Sequence, residues 1–98
     1  MAILDLDLPG AQKVAQELGP SGITVNAIAP GLIDTPILRK TSMPEDQIKA
    51  FIEPFIGRTP VKRIGKPDDI AAACAYLTSE EASFLTGQVV SPNGGIYT

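Results

Sequence analysis

The sequence predicts an α/β fold built on a parallel sheet of about three strands with flanking helices. Segments with strand and helix patterning follow one another in the order strand, helix, strand, two helices, strand. Such alternation calls for right-handed crossover connections, which lay consecutive strands parallel in one sheet. The run Ile23-Thr24-Val25-Asn26-Ala27-Ile28-Ala29 is almost continuously β-prone and lacks a polar side, the pattern of a strand covered on both faces. It is the expected central strand. The 98 residues, 44% of them hydrophobic, leave room for a single domain with one modest core.

Each element has a local reason. Ala2 to Leu8 alternates apolar and acidic positions, as a short strand does, and Pro9-Gly10 is expected to break it. Ala11, Val14, Ala15 and Leu18 then recur at helical spacing and form one apolar face. Gly19-Pro20 should end this helix, glycine taking the left-handed exit position and proline being unable to continue. Pro30-Gly31 stops the central strand, and Leu32 to Thr41 has no clear period. Ser42-Met43-Pro44-Glu45 matches a capping box, predicting a helix over 44–56 with Ile48, Phe51, Ile52 and Phe55 on its apolar side and Pro54 distorting the last turn. Pro67-Asp68-Asp69 opens another helix, with proline in the first turn and acids near the positive end of the dipole; Ile70, Cys74 and Leu77 mark its core side. Residues 79–87 read as loop or short helix, and Gln88-Val89-Val90-Ser91 as a last strand.

Composition excludes several functions. With 8 Lys and Arg against 11 Asp and Glu, the net charge of −3 argues against a nucleic-acid partner. Lys62, Arg63 and Lys66 form the sole basic cluster, which reads as a solvated loop. The one cysteine, Cys74, lies among alanines and is expected to be a small buried hydrophobe. With no histidine and no second cysteine, no metal site is predicted. The first residues carry acids where a secretory signal needs bases, and no apolar run approaches membrane-spanning length, so a cytoplasmic location is expected.

From Glu17 onward the chain resembles the C-terminal part of the classical short-chain dehydrogenases/reductases. The resemblance rests on Glu17 to Gly31 (ELGPSGITVNAIAPG), then Ile33-Asp34-Thr35-Pro36, Arg63-Ile64-Gly65-Lys66-Pro67-Asp68-Asp69-Ile70-Ala71, Tyr76-Leu77-Thr78-Ser79, and Thr86-Gly87-Gln88-Val89-Val90 leading to Asn93-Gly94-Gly95. It implies a partial Rossmann-like, doubly wound sheet, with residues 19–98 as the C-terminal region of that family. For residues 1–18 two readings stand. Ile3-Leu4-Asp5-Leu6-Asp7 and Gly10 to Leu18 are similar to the family's second strand and following helix, which would mean that the middle of the fold is skipped. Alternatively, residues 9–18 are the tail of the helix that normally precedes the Ile23 strand, with an unrelated start.

The resemblance also implies a chemistry. Enzymes of this family move a hydride between a nicotinamide and a carbonyl or alcohol carbon, while a tyrosine, aided by a lysine four residues on and a serine, handles the proton. Neither tyrosine here fits: four residues after Tyr76 stands Glu80, and Tyr97 is followed by Thr98. No catalytic residue is therefore assigned. A glycine-rich turn between a first strand and a helix is also missing; Gly19-Pro20-Ser21-Gly22 opens a strand and reads as a plain turn. What the resemblance does retain is the segment Pro30 to Thr35, on the nicotinamide side of NAD or NADP. There Ile33 would offer backbone groups to the carboxamide, Thr35 a hydroxyl to the carboxamide or pyrophosphate, and Pro30-Gly31 the turn that places them. Asp5 would bind the adenosine ribose hydroxyls, against the plainer reading of a solvated acid. Asp34 is expected to be solvated, and residues 37–56 correspond to a substrate-covering region. Within it Leu38, Phe51 and Phe55 either line a pocket or fill core, with core expected for the aromatic pair. The isolated chain is expected to be inactive, and its implied partners are further copies of itself or a complementary chain. The rival readings are a non-catalytic interaction module and one half of a split enzyme.

Overall fold

The computed structural model describes residues 2–5, 8–36 and 43–96, with side chains described for Ala2, 10–36 and 43–96. Among these are three strands, β1 (Ala2–Asp5), β2 (Thr24–Ile28) and β3 (Val89–Val90), and three α-helices, α1 (Leu8–Leu18), α2 (Glu45–Arg58) and α3 (Pro67–Leu77). Two short 3-10 turns cover Gly19–Ser21 and Glu80–Ala82. The strands form one sheet in the order β1-β2-β3, parallel throughout, with Ala2 opposite Thr24, Asp5 opposite Ala27, Ala27 opposite Val89 and Ile28 opposite Val90. The expected three-stranded parallel sheet with the Ile23 run at its centre is what forms.

The described residues gather into two compact units, one of 1–29 with 71–91 and one of 30–70 with 92–98. In the first, Ala11 and Ala15 of α1 are buried against Val25 and Ala27 of β2, with Val14, Leu18 and Ile23 packed around them. Small residues on both elements let helix and sheet approach closely, and the i, i+3, i+4 spacing of the helix puts them on one side. Parallel pairing leaves β2 with neighbours on both edges, which accounts for its burial from Val25 to Ile28. Asn26 is the exception in chemistry, a polar side chain only 1% exposed. Its Nδ2 donates to the Leu85 carbonyl at 3.0 Å and its Oδ1 accepts the Gln88 N–H at 3.1 Å. Beside it the Val25 N–H donates to Thr86 Oγ1 at 3.0 Å, and the Gly87 N–H to the Val25 carbonyl at 2.7 Å. These bonds pin residues 85–88 to β2 and set the register of β3.

Three local expectations are corrected. Helix α1 starts at Leu8, so Pro9-Gly10 lies inside its first turn and breaks nothing; an N–H is dispensable there because it has no helical acceptor. The left-handed exit from the α1 region is Gly22, at φ 76°, after Gly19–Ser21 has continued as a 3-10 turn closed by the Gly22 N–H on the Gly19 carbonyl at 2.9 Å. The N-cap of α2 is Pro44, without a side-chain cap bond, while Ser42 of the expected capping box lies outside the described residues. Helix α2 runs on to Arg58 past Pro54, longer than expected at its C-terminal end.

The apolar face of α2 is also narrower than the spacing suggests. Ile48 and Ile52 are buried, but Phe51 is 52% exposed and Phe55 half-buried, so the aromatic pair does not fill core. The two rings instead pack against each other in a tilted arrangement, centroids 5.4 Å apart, with the Arg58 guanidinium 4.8 Å from the Phe55 centroid. On α3 only Leu77 of the expected core residues is fully buried; Ile70 and Cys74 are half-buried, so Cys74 is not the buried hydrophobe expected. Among the described residues no helix is long and apolar enough to cross a membrane, and no group of acids and cysteines is placed to hold a metal ion.

Candidate functional site

The segment Pro30 to Thr35 runs on from the carboxyl end of β2, where open parallel sheets bind their ligands. Its geometry is fixed within the second unit. The Gly31 N–H donates to the Pro92 carbonyl at 3.1 Å, continuing the parallel pairing pattern for one more step. A Cβ on Gly31 would stand 2.9 Å from both Cα and Cβ of Asn93, so only glycine allows this approach. Asn93 in turn holds a tight turn: its Oδ1 accepts the Gly95 N–H at 2.7 Å, and Gly94 and Gly95 take left-handed φ values of 65° and 94°.

Beyond Gly31 the chain forms an isolated parallel bridge, Ile33 with Gly65. The Gly65 N–H donates to the Leu32 carbonyl at 2.9 Å and the Asp34 N–H to the Gly65 carbonyl at 2.8 Å. Because backbone groups alternate in direction along an extended segment, the N–H and C=O of Ile33 itself face away from the bridge. No hydrogen bond among the described residues engages them. The Thr35 hydroxyl, on a half-buried residue, is likewise unengaged among the described residues. The Ile33 side chain goes the other way, its Cδ1 only 2.5 Å from where a Gly65 Cβ would be. A cavity of about 260 Å³ opens beside this segment, walled chiefly by Leu32, Ile33, Phe55, Val61, Ile64 and Ile96.

The basic cluster is exposed, as expected, but two of its members are committed. The Lys62 ammonium donates to the Gly57 carbonyl at 2.7 Å near the end of α2, from a left-handed backbone at φ 59°. Arg63 grips Asp69 with both terminal nitrogens, Nη1 to Oδ2 at 2.8 Å and Nη2 to Oδ1 at 3.0 Å. Arg63, followed by the Lys66 N–H, holds the Asp69 carboxyl well below the usual carboxylate range, and the same contact raises the Arg63 guanidinium.

Of the residues singled out in the sequence, Pro30, Gly31, Ile33 and Thr35 fall in one continuous loop, with Ile33 on the cavity wall. Asp5 ends β1 opposite Ala27, its side chain outside the described residues. Leu38 and Tyr97 lie outside them altogether. Tyr76 is 49% exposed on α3, and Glu80, four residues on, sits in the following 3-10 turn. The sequence reading missed Gly65, Asn93, Arg63 and Asp69 as the parts that hold the loop. They stand in quoted motifs, but no local pattern tells that residue 65 will pair with residue 33.

Parallel strands joined by helical crossovers, with a loop leaving the central strand, define part of an open Rossmann-like α/β protein. Residues 10–97 match the model of a family described as enoyl-(acyl carrier protein) reductase. The chain thus belongs to that family, within the short-chain dehydrogenases/reductases. It is 46% identical over 89 residues to the acetoacetyl-CoA reductase of Shinella zoogloeoides, covering 91% of this chain and 35% of that one. It is 41% identical over 93 residues to the 3-oxoacyl-(acyl-carrier-protein) reductase of Buchnera aphidicola, covering 94% and 36%. Among solved structures it resembles the ligand-free aldohexose dehydrogenase of Thermoplasma acidophilum, with a TM-score of 0.82, 33% identity and coverage of 91% and 36%. The chain thus spans about a third of the length of the relatives it matches. These relatives bear out the resemblance and the Rossmann-like fold read from the motifs.

Proposed function

We propose that this chain supplies the nicotinamide-side wall of an NAD(P)-dependent oxidoreductase, with Pro30 and Gly31 setting the turn and Ile33 and Thr35 making the contacts. One observation carries the reading: the Ile33 peptide N–H and C=O are left unengaged by the bridge to Gly65, beside a cavity. A carboxamide offers one acceptor and a pair of donors, so it can satisfy both groups at once, and the Thr35 hydroxyl adds a further donor or acceptor. When bound, the nicotinamide supplies the hydride-exchanging carbon. The chain's own contribution is to orient that ring. Relatives that reduce acetoacetyl-CoA and 3-oxoacyl-(acyl-carrier-protein) point to a 3-oxoacyl thioester as the carbonyl substrate.

Proton transfer has no paired agent among these residues, since Tyr76 is followed four residues on by Glu80 and not by a lysine. The isolated chain is therefore a partial site without turnover. The test is a titration of the labelled chain with NADH followed by NMR, together with an assay of nucleotide oxidation on acetoacetyl-CoA. At ~10 mM NADH, where contacts worth only a few kcal/mol become visible, the Ile33 and Thr35 amides should shift. Unmoved amides would remove the cofactor reading, and turnover by pure chain would remove the claim of inactivity. A second reading is favoured by Phe84, fully exposed at 101%: the chain then acts through association with a further copy. Light scattering that finds a monomer at all concentrations excludes it.

A further inference from the structure

The bridge that orients Ile33 depends on residue 65, and residue 65 is held from both sides by one ion pair. Asp69 Oδ2 accepts the Lys66 N–H at 2.7 Å, just after Gly65, while Arg63 Nη1 donates to the Ile64 carbonyl at 3.2 Å, just before it. The two side chains are joined by the bidentate contact already described, so a closed ring of hydrogen bonds encircles Ile64, Gly65 and Lys66. Inside that ring Gly65 presents its N–H and C=O to Leu32 and Asp34, and its missing Cβ leaves room for Ile33 Cδ1. The guanidinium fork suits this because it is planar and fixes both oxygens of the carboxylate, which a lysine ammonium does not.

We infer that Arg63 and Asp69 are positioning residues for the nicotinamide-side loop: by fixing Gly65 they determine where the Ile33 peptide points. This rests on the reading of Ile33 as a cofactor contact. The pair itself touches no cofactor and is half-exposed, at 52% and 36% of its side-chain area. Its effect is mainly local order, with only a small contribution to bulk stability, because exposed pairs contribute little to folding.

Amide hydrogen exchange of the whole chain, resolved by residue, is the test. Replacing Asp69 with alanine should speed exchange of the Asp34 and Gly65 amides about fivefold, the upper end of what an exposed pair supplies, while the Ala27, Ala29 and Gly87 amides hold their rates. Asp69→Asn keeps an acceptor for Lys66 and should recover part of the protection; Arg63→Lys should resemble the alanine variant. Unchanged Asp34 and Gly65 rates overturn the inference, and so does an equal acceleration at all five amides, which marks a merely structural pair. In parallel, NADH should shift the Ile33 amide of the parent chain and shift it less in Asp69→Ala. A parent chain that does not respond to NADH, with exchange behaving as expected, removes the cofactor reading and with it the pair's role toward the cofactor. A parent that responds as fully as its variant removes the positioning role alone.

Discussion

Replacing Asn26 with leucine tests whether the register of the sheet is held by one buried amide. The substitution keeps the same branching and number of heavy atoms, so no cavity forms, but it strips the Leu85 carbonyl and the Gln88 N–H of the bonds at 3.0 and 3.1 Å. Gln88 is exposed and Leu85 half-buried, so water recovers part of what is lost. Two hydrogen bonds at about 1 kcal/mol net each then give a loss of about 2 kcal/mol, near the low end of the cost of orphaning two polar groups. For a domain of this size that corresponds to a drop in melting temperature of roughly 8–16 °C. Urea titrations followed by far-ultraviolet circular dichroism give the number directly. The companion variant Thr86→Val removes the acceptor of the buried Val25 N–H and should cost about 1–3 kcal/mol by the same reasoning. A loss below ~0.5 kcal/mol for Asn26→Leu would refute the argument, because it would mean that the 85–88 segment keeps its place without its amide clamp.

Three more predictions follow from other parts of the molecule. Gly31→Ala puts a methyl 2.9 Å from the Asn93 backbone, and should cost about 1–3 kcal/mol as an overpacked site, read by thermal unfolding; a neutral result would show that the Asn93 turn yields. Asp69→Asn should lower stability at neutral pH, and the gap from the parent should shrink in acid. The folded carboxyl titrates below its unfolded value, so the contribution is complete above the ordinary range near ~4 and fades as pH falls beneath it; urea midpoints at about pH 7 and pH 3 that differ by the same amount would contradict this. Phe84→Ser, at a fully exposed position, should leave the unfolding midpoint within ~0.5 kcal/mol of the parent, whereas a marked loss that grows with protein concentration would mean that Phe84 is buried between copies.

The sequence carried the order and type of the elements well, for a physical reason. Ala11, Val14, Ala15 and Leu18 announce an amphipathic helix by spacing alone, and the Ile23 run announces a buried strand by its lack of polar alternation. Helix ends were less legible. Pro9-Gly10 is an equally good breaker or first turn until the neighbouring backbone is known, and the left-handed role assigned to Gly19 passes to Gly22 because a 3-10 turn intervenes. The aromatics of α2 were misjudged because spacing shows which residues share a side but not how wide the buried stripe is. For the site, the loop from Pro30 to Thr35 was visible through its motif. Its supports were not, since Gly65 meets Ile33 and Asn93 meets Gly31 across long stretches of chain, and such meetings are properties of topology.

The parallel pairing of Ala27 with Val89 and Ile28 with Val90 has a kinetic side. A strand two residues long gains little until its partner arrives, and here the partner is some sixty positions away, so the entropic toll of ring closure comes before any reward. During folding the far edge of the middle strand must therefore stay unzipped while the rest of the chain orders. A hydrophobic ribbon with one open border is the species most apt to stick to its neighbours, and refolding yield should fall steeply as concentration rises.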